Sequence, residues 1–260
     1  MKKQNFVRTA VLAMAAAALT FTYAASAANI GLVVGSDGLV DKPFDIGWMN
    51  RLTSQGHTVT PLAQNIAANS PTLTTFDLFI VSQDVGSGTY LTGIGINQPK
   101  PILTYEYGIY DDIFGASGNG ASSGLLTNGI TISDPFHPLA AGLSGNVSIY
   151  TGEGGNGTIS RFTGYTAGST GTQLIAVSAD VPANNIFAVL PAGAAGNGGL
   201  TWSTLRMTLP CYDSWDPAFV TADGWTLLDN AVAYALIPEP SSFALLGLGM
   251  AFFLARRQRR

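Results

Sequence analysis

Short apolar runs separated by polar, glycine-rich segments are the main pattern in the first half of the chain. The runs at 29–34, 76–82 and 101–105 are nearly continuous, which is typical of strands buried on both faces of a parallel sheet. A further short strand is predicted at 57–61, and a helix is predicted from residue 43 to a closing glycine at 56. The apolar face of that helix comprises Phe44, Ile46, Trp48, Met49 and Leu52. Strands and crossovers of these lengths predict right-handed βαβ units.

The second half is predicted to form shorter strands with turns rich in glycine or asparagine. Four of these strands are expected at 147–150, 173–177, 186–190 and 201–207, the last two forming a hairpin. Thr221 is a suitable N-cap for a final helix, whose core-facing stripe is Trp225, Leu228, Val232 and Ala235. The predicted fold class is therefore α/β, a flavodoxin-like, doubly wound, mainly parallel sheet with a β-rich later portion.

The N-terminus has the three parts of a secretory signal peptide. Lys2, Lys3 and Arg8 are positively charged, and residues 10–21 form an apolar core dominated by alanine. Small residues then follow, with Ala25 and Ala27 at the positions that a signal peptidase needs. We predict a signal peptide at 1–27, cleaved after Ala27, so that the domain at 28–237 is exported.

The C-terminal segment, 238–260, also has three parts in a fixed order. Pro238, Glu239 and Pro240 disfavour helix and predict an extended, accessible stretch. An uncharged apolar run of 15 residues, 241–255, is predicted to form a hydrophobic helix, although a typical span needs ~20 residues. The basic end that follows, predicted to stay on the cytoplasmic side, consists of Arg256, Arg257, Arg259 and Arg260.

This tail resembles the PEP-CTERM sorting signal of Gram-negative bacteria, which a membrane protease called exosortase is thought to read. The resemblance implies that the cytoplasmic membrane holds the chain until exosortase processes it. It also implies a final place in the cell envelope, on the outer surface or in the extracellular matrix. Because such tails accompany exopolysaccharide and biofilm production, a glycan partner is implied as well. An ordinary single-span anchor and a buried C-terminal helix are the alternatives for the same residues.

The charge of the domain changes once both terminal segments are set aside. The whole chain has 12 basic and 16 acidic residues, of which the 28–237 domain keeps 5 basic and 15 acidic, a formal charge of −10. A domain so poor in lysine and arginine lacks the basic surface that binds nucleic acid, so no nucleic-acid partner is predicted. The single cysteine, Cys211, is predicted to be a small buried hydrophobic residue.

Several short stretches of the domain resemble the class I glutamine-amidotransferase-like superfamily. They include Gly-His-Thr-Val at 56–59, Phe-Asp-Leu-Phe-Ile-Val-Ser at 76–82 and Thr-Ala-Asp-Gly-Trp at 221–225. The Asp-Pro-Phe-His-Pro-Leu stretch at 134–139 resembles the trehalose-utilisation-like branch. Active members place a cysteine at a sharp turn after a strand. Glu106 and Tyr107 occupy the matching place, and neither attacks a carbonyl as a thiolate does.

Glu106 is the leading candidate for a functional residue, because ligands of α/β sheets bind at the carboxyl ends of the strands. It either faces such a ligand or caps the next helix. His137 either transfers protons or stabilises its turn. The remaining candidate pocket residues are Asp37, Tyr105, Tyr107, Asp111 and Asp112, of which the last two are alternatively first-turn acids of a helix. Neither a metal nor a cofactor is predicted.

Two hypotheses for function follow. In the first, the domain is a catalytically degenerate amidotransferase-like fold that acts in binding or structure, in contact with exopolysaccharide. In the second, it is a sugar- or amide-modifying hydrolase of altered chemistry that uses Glu106 with His137 or a bound cation. The missing cysteine favours the first.

Overall fold

The computed structural model describes residues 27–114, 117–122, 129–152, 159–163, 171–195 and 201–237, with the backbone alone at 117–122. Nearly all of the predicted signal peptide and the whole predicted C-terminal hydrophobic helix lie outside these ranges. Within them, every helix is too short or too polar to cross a membrane.

The domain alternates strands and helices at first and consists mainly of strands later. The helices are α1 Pro43–Ser54, α2 Ser87–Thr92, α3 Tyr110–Phe114 and α4 Ala222–Ala235. The early strands are β1 Asn29–Val34, β2 Thr58–Ala63, β3 Leu78–Val81 and β4 Ile102–Thr104. The later strands are β5 Ser117–Ser122, β6 Gly129–Ile132, β7 Gly145–Ser148, β8 Ile159–Thr163, β9 Gln173–Ser178, β10 Asn185–Leu190 and β11 Arg206–Thr208.

The strands form one mixed sheet in the order β2-β1-β3-β4-β11-β10-β9-β6-β7, with β8 joined to β10 and β5 to β8. The first five strands in this order run parallel, and the others pair antiparallel. The side chains of β3 alternate between the two apolar cores: Leu78 and Ile80 belong to one, Phe79 and Val81 to the other. This double burial explains the continuous apolar run, and it confirms the predicted α/β class.

The predicted hairpin is present, since β10 and β11 pair antiparallel with Leu190 opposite Arg206. The second strand is shorter than predicted and begins at Arg206 rather than at 201. Its other edge pairs parallel with β4, with Met207 opposite Leu103. This long-range pairing brings the residues after β11 beside those after β4.

Helix α1 uses a narrower face than its sequence predicted. Phe44, Trp48 and Leu52 are buried, whereas Ile46 is 40% exposed. The neighbour of Phe44, Asp45, is fully buried instead. The Ile46 side chain thus faces solvent, and the Asp45 side chain lies in the interior. This places the Asp45 carboxyl beneath the edge of the sheet at which the parallel strands end.

Candidate functional site

Four buried or half-buried carboxyl groups meet where the parallel strands end. Asp84 follows β3, Glu106 follows β4 and Asp213 follows β11, while Asp45 approaches from α1. These four side chains, here called the carboxyl site, interact electrostatically: Asp213 acts on Asp45 and on Glu106, and Asp84 acts on Asp45 and on Asp213. Ligands of open α/β sheets bind at this edge.

Glu106 occupies the sharp turn after β4 and is only 4% exposed. One of its carboxyl oxygens, Oε1, accepts a hydrogen bond of 2.6 Å from the backbone N–H of Gly108, which caps the short helix Tyr107–Ile109. Burial raises the pKa of Glu106 to about 8, this hydrogen bond opposes the rise, and Asp213 adds to it. At neutral pH Glu106 is therefore mainly a carboxylic acid, and the oxygen that does not cap the helix is left to carry the proton.

The turn requires glycine at position 108. A Cβ there would collide with Oε1 of Glu106 and would lie 3.0 Å from the hydroxyl oxygen of Ser87. The absence of a side chain thus lets Ser87, the first residue of α2, approach the acid at the end of β4. The polar neighbourhood of Glu106 is built from two different strand–helix turns.

Asp213 is the second buried carboxyl beside Glu106, with 7% exposure. With the Gln83 amide oriented so that its nitrogen faces this carboxyl, the nitrogen donates to both oxygens, at 2.9 and 3.0 Å. Burial raises the pKa of Asp213, Lys42 lowers it, and Asp84 raises it further. Its backbone carbonyl accepts from the N–H of Phe44 at 3.2 Å, which ties the loop after β11 to the start of α1.

Lys42 supplies positive charge beside Asp84. Its Nζ lies 2.9 Å from one oxygen of Asp84 and 3.4 Å from Asp41. The hydrogen bond to Asp84 raises the pKa of Lys42. The other Asp84 oxygen accepts from the N–H of Gly35 at 3.2 Å, and a Cβ on Gly35 would lie only 2.7 Å from it. Glycine after β1 is thus needed for this carboxylate to reach the backbone.

Asp45 lies below the other carboxyl groups. It accepts from the Ser82 hydroxyl at 2.7 Å and from the Tyr105 hydroxyl. Burial raises the pKa of Asp45 to about 6, although these two hydrogen bonds oppose the rise. Its role is to hold Tyr105 and the end of β3 in place, since it has no exposed surface.

Cys211 is fully buried, which confirms the prediction that it is a small hydrophobic residue. Burial raises the pKa of its thiol well above the usual value, and Asp45 and Asp213 add to the rise. A buried, protonated thiol is a poor nucleophile.

The remaining sequence candidates, apart from His137, lie in three places. Tyr105 and Tyr107 flank Glu106; Tyr105 is buried and Tyr107 is partly exposed. Asp111 and Asp112 occupy the first turn of α3, the structural alternative considered for them. Asp37 accepts from the N–H of Leu39 within its own loop at 3.0 Å.

His137 stabilises a turn that follows β6. Its Nδ1 accepts from the N–H of Leu139 at 3.1 Å, and its Nε2 lies 2.8 Å from the side-chain oxygen of Gln173. Its ring packs against that of Tyr234 in α4, with centroids 5.8 Å apart. These contacts lie at the antiparallel part of the sheet. His137 therefore packs against α4, whereas Glu106 lies near Asp213 at the end of the parallel strands.

Sequence reasoning missed Lys42, Gln83, Asp84, Ser87 and Asp213. Asp84 has the signal that singled out Glu106, because it closely follows the predicted apolar strand at 76–82. Asp213 lies further from the predicted strand at 201–207 and lacks that signal. In the described part of the chain, no three His, Cys, Asp or Glu side chains are placed to hold a metal ion. The chemistry available is that of a neutral acid at Glu106, a nearby acceptor at Asp213 and an ammonium at Lys42.

The raised pKa of Glu106 predicts a pH dependence of stability. Between pH ~4.5 and ~8 the unfolded chain has lost this proton while the folded chain retains it, so the free energy of unfolding falls as the pH rises. Asp45 acts in the same direction below pH ~6. Glu106→Gln should flatten the decline between pH 6 and 8, by a few kcal/mol at most.

Urea denaturation across this pH range measures the effect. Asp111→Asn, at an exposed site, is the matched control and should keep the wild-type slope. An equal slope in wild type and Glu106→Gln would contradict the assignment of Glu106 as a neutral acid.

The fold defined by this sheet is that of ThuA-like proteins. The crystal structure of a ThuA-like protein from Bacteroides uniformis superposes with a TM-score of 0.51 at 8% identity, covering 86% of this chain and 97% of that one. A cytoplasmic protein from Salmonella typhimurium gives a TM-score of 0.50 at 9% identity, covering 80% and 98%. At such identities the likeness shows the fold alone. Comparison with the curated protein sequences finds no match.

The chain carries the PEP-CTERM protein-sorting motif at residues 236–260. This confirms the prediction made from the order of its proline, apolar and arginine segments. The motif implies export, sorting to the bacterial cell envelope and processing by exosortase. The molecule therefore combines a ThuA-like α/β domain with a sorting tail.

Proposed function

We propose that this is an exported protein of a Gram-negative bacterium that binds exopolysaccharide through the carboxyl site. Its signal peptide is removed by signal peptidase after Ala27. The apolar run at 241–255 then spans the cytoplasmic membrane as a short helix until exosortase cuts at the Pro-Glu-Pro motif. The released domain stays at the outer surface or in the extracellular matrix, where it contributes to the biofilm.

Several properties of the sequence support the export part of this proposal. The apolar run of 15 residues makes only a marginal anchor, adequate to present a substrate to a membrane protease. Four arginines oppose translocation of the end of the chain. The domain between the signals has a formal charge of −10 and is rich in glycine, serine, threonine and asparagine, which suits a secreted protein.

The neighbours of Glu106 support the choice of a glycan. Tyr107 and Tyr212 are both partly exposed, and burial raises the pKa of Tyr212 to about 12 together with the charges of Asp213, Tyr107 and Glu106. Two half-exposed tyrosines thus lie beside a neutral acid and a buried carboxyl. Aromatic faces suit the C–H faces of sugars, and hydroxyl groups of sugars can both donate to and accept from such carboxyls. This combination is the observation that carries the binding proposal.

The second candidate is a hydrolase, and it is favoured by the protonation state of Glu106. A carboxylic acid with a pKa near the working pH is the form that a general acid needs. Asp213, beside it, would orient or deprotonate the attacking water. We rank this candidate lower because the nucleophile of the related fold is replaced and Cys211 is buried.

Calorimetric titration with oligosaccharides from the host's own exopolysaccharide separates the two candidates. Glu106→Gln keeps a neutral side chain that accepts from Gly108, so binding should stay within about threefold of wild type. Glu106→Ala removes those hydrogen bonds and should weaken binding about tenfold or more. If the protein is a general acid catalyst, wild type instead releases new reducing ends and Glu106→Gln slows this about 100-fold or more.

Asp111→Ala is the matched control for Glu106→Ala, because it removes an exposed carboxyl one helix away. It should leave affinity unchanged. Binding that is the same in wild type and Glu106→Ala, or no binding to any fraction of the polysaccharide, would refute the binding proposal.

A further inference from the structure

Phe136 is the most exposed large hydrophobic residue of the described chain, with 95% of its surface accessible. The other large apolar side chains that reach solvent are at most 64% exposed. Full exposure of a phenylalanine ring is unfavourable in water, and phenylalanine is one of the side chains that enter the boundary between headgroups and acyl chains of a membrane.

The turn that carries Phe136 is held rigidly by groups other than its ring. The N–H of Phe136 donates to the Asp134 side chain at 3.1 Å, and the N–H of His137 donates to the Asp134 carbonyl at 3.3 Å. Prolines at 135 and 138 restrict the backbone on both sides. The ring is thus presented outward by a structure that does not need it for packing.

This turn lies beside the point where the sorting tail leaves the domain. The His137 ring packs on Tyr234, and Asn230 donates to the carbonyl of Pro138 at 2.6 Å, so α4 contacts the turn directly. The described chain ends at Ile237, and Ser241, where the apolar run starts, is four residues further along. Four extended residues reach ~14 Å at most. Once the apolar run is in the bilayer, the C-terminal end of α4 must lie close to the membrane surface.

The net charge of the domain disfavours an electrostatic contact with the membrane surface, so the contact is expected to be apolar. The exported domain has 15 acidic and 5 basic residues, so anionic lipids repel it overall. Aromatic side chains, by contrast, are favoured at the boundary between headgroups and acyl chains.

We propose that Phe136 inserts into the outer leaflet of the cytoplasmic membrane while the tail holds the chain there, before exosortase cuts. The contact orients the domain over the bilayer with the C-terminal end of α4 facing it. This keeps the Pro-Glu-Pro segment at the surface where a membrane protease works. The inference rests on the membrane-held stage of the proposed function.

The test uses the chain isolated, with its tail, from a host that lacks exosortase. It is reconstituted in vesicles of phosphatidylethanolamine and phosphatidylglycerol that contain spin-labelled acyl chains. Phe136→Cys receives an environment-sensitive fluorophore, and the label is selective because Cys211 is fully buried. Val181→Cys is the control: it is an exposed apolar site, at the opposite end of the paired strands β6 and β9. Quenching at 136 should exceed that at 181 by about threefold or more.

Three other outcomes would refute the membrane contact. Equal quenching in chains that do bind the vesicles would overturn the membrane contact and leave the sorting function intact. Failure of the chain to bind vesicles at all would overturn both. If the label at 136 remains in water but Phe136→Ser slows processing in the native host, the turn binds the protease rather than lipid. Phe136→Ser should unfold at the same urea concentration as wild type, because the ring is 95% exposed, so misfolding does not confuse this result.

Discussion

Replacing Glu239 with alanine is expected to leave the C-terminal tail uncut while the signal peptide is still removed. Both prolines remain, so the preference of the segment for an extended backbone is kept and only the carboxylate is lost. A protease site built to pair with a charged group discriminates strongly against its loss, so the processed fraction should fall about tenfold or more. The measurement is the mass of the protein recovered from the membrane and the culture medium of the native host.

Two further variants define what the protease reads at this position. Glu239→Gln keeps the shape and removes the charge, and it should also be poorly cut if charge is recognised. Ser241→Ala changes a neighbouring residue without altering charge, and it should be processed like wild type. Normal release of the Glu239→Ala protein would show that the motif is not the processing site.

Replacing Arg206 with methionine should lower the free energy of unfolding by about 3–5 kcal/mol. Arg206 is 1% exposed, and burial lowers the pKa of its guanidinium to about 10. Its two terminal nitrogens donate to five backbone carbonyls and to the Thr204 hydroxyl, at distances of 2.7 to 3.3 Å. The carbonyls are those of Ile96, Gln98, Lys100, Thr204 and Leu205. Methionine fills much of the volume but removes these donors. The Lys100 and Leu205 carbonyls keep a bond from the Thr204 hydroxyl and from the N–H of Ile102, whereas those of Ile96, Gln98 and Thr204 lose the guanidinium.

The same substitution at Arg51 is the control. Arg51 pairs with Asp229 at 2.6 Å, but both side chains are partly exposed, and such pairs contribute about 1 kcal/mol or less. Urea denaturation of Arg206→Met and Arg51→Met compares the two. If Arg206→Met loses no more stability than Arg51→Met, the Arg206 guanidinium does not stabilise the contact between β11 and the loop that precedes β4.

The elements that could be predicted from the sequence are those with a strong local signal. The continuous apolar run of β3 and the N-cap of α4 are examples: Thr221 accepts from Gly224 at 3.0 Å, and Leu228 and Val232 are buried as their spacing indicated. The place of β11 could not be predicted in this way. A strand of three residues carries little pattern, and its parallel pairing with β4 joins segments about a hundred residues apart.

The candidate site was predicted in part for the same reason. Glu106 could be found because it directly follows an apolar strand in a stretch with a family resemblance. Its neighbour Asp213 comes from the end of β11, so the pairing depends on the topology that the sequence did not reveal. Asp45 could not be predicted for a different reason. An acid in the first turn of a helix usually faces solvent, but the Ser82 and Tyr105 hydroxyls donate to Asp45 in the interior.

The most direct test of the central claim is the intact mass of the protein from its native host and from the same host without exosortase. The native-host protein should lack residues 1–27 and everything after the Pro-Glu-Pro motif, including Arg256 to Arg260. Without exosortase, the mass should correspond to residues 28–260, recovered with the membrane. Protein from the native host that still ends at Arg260 would contradict the claim that this chain is sorted by cutting its tail.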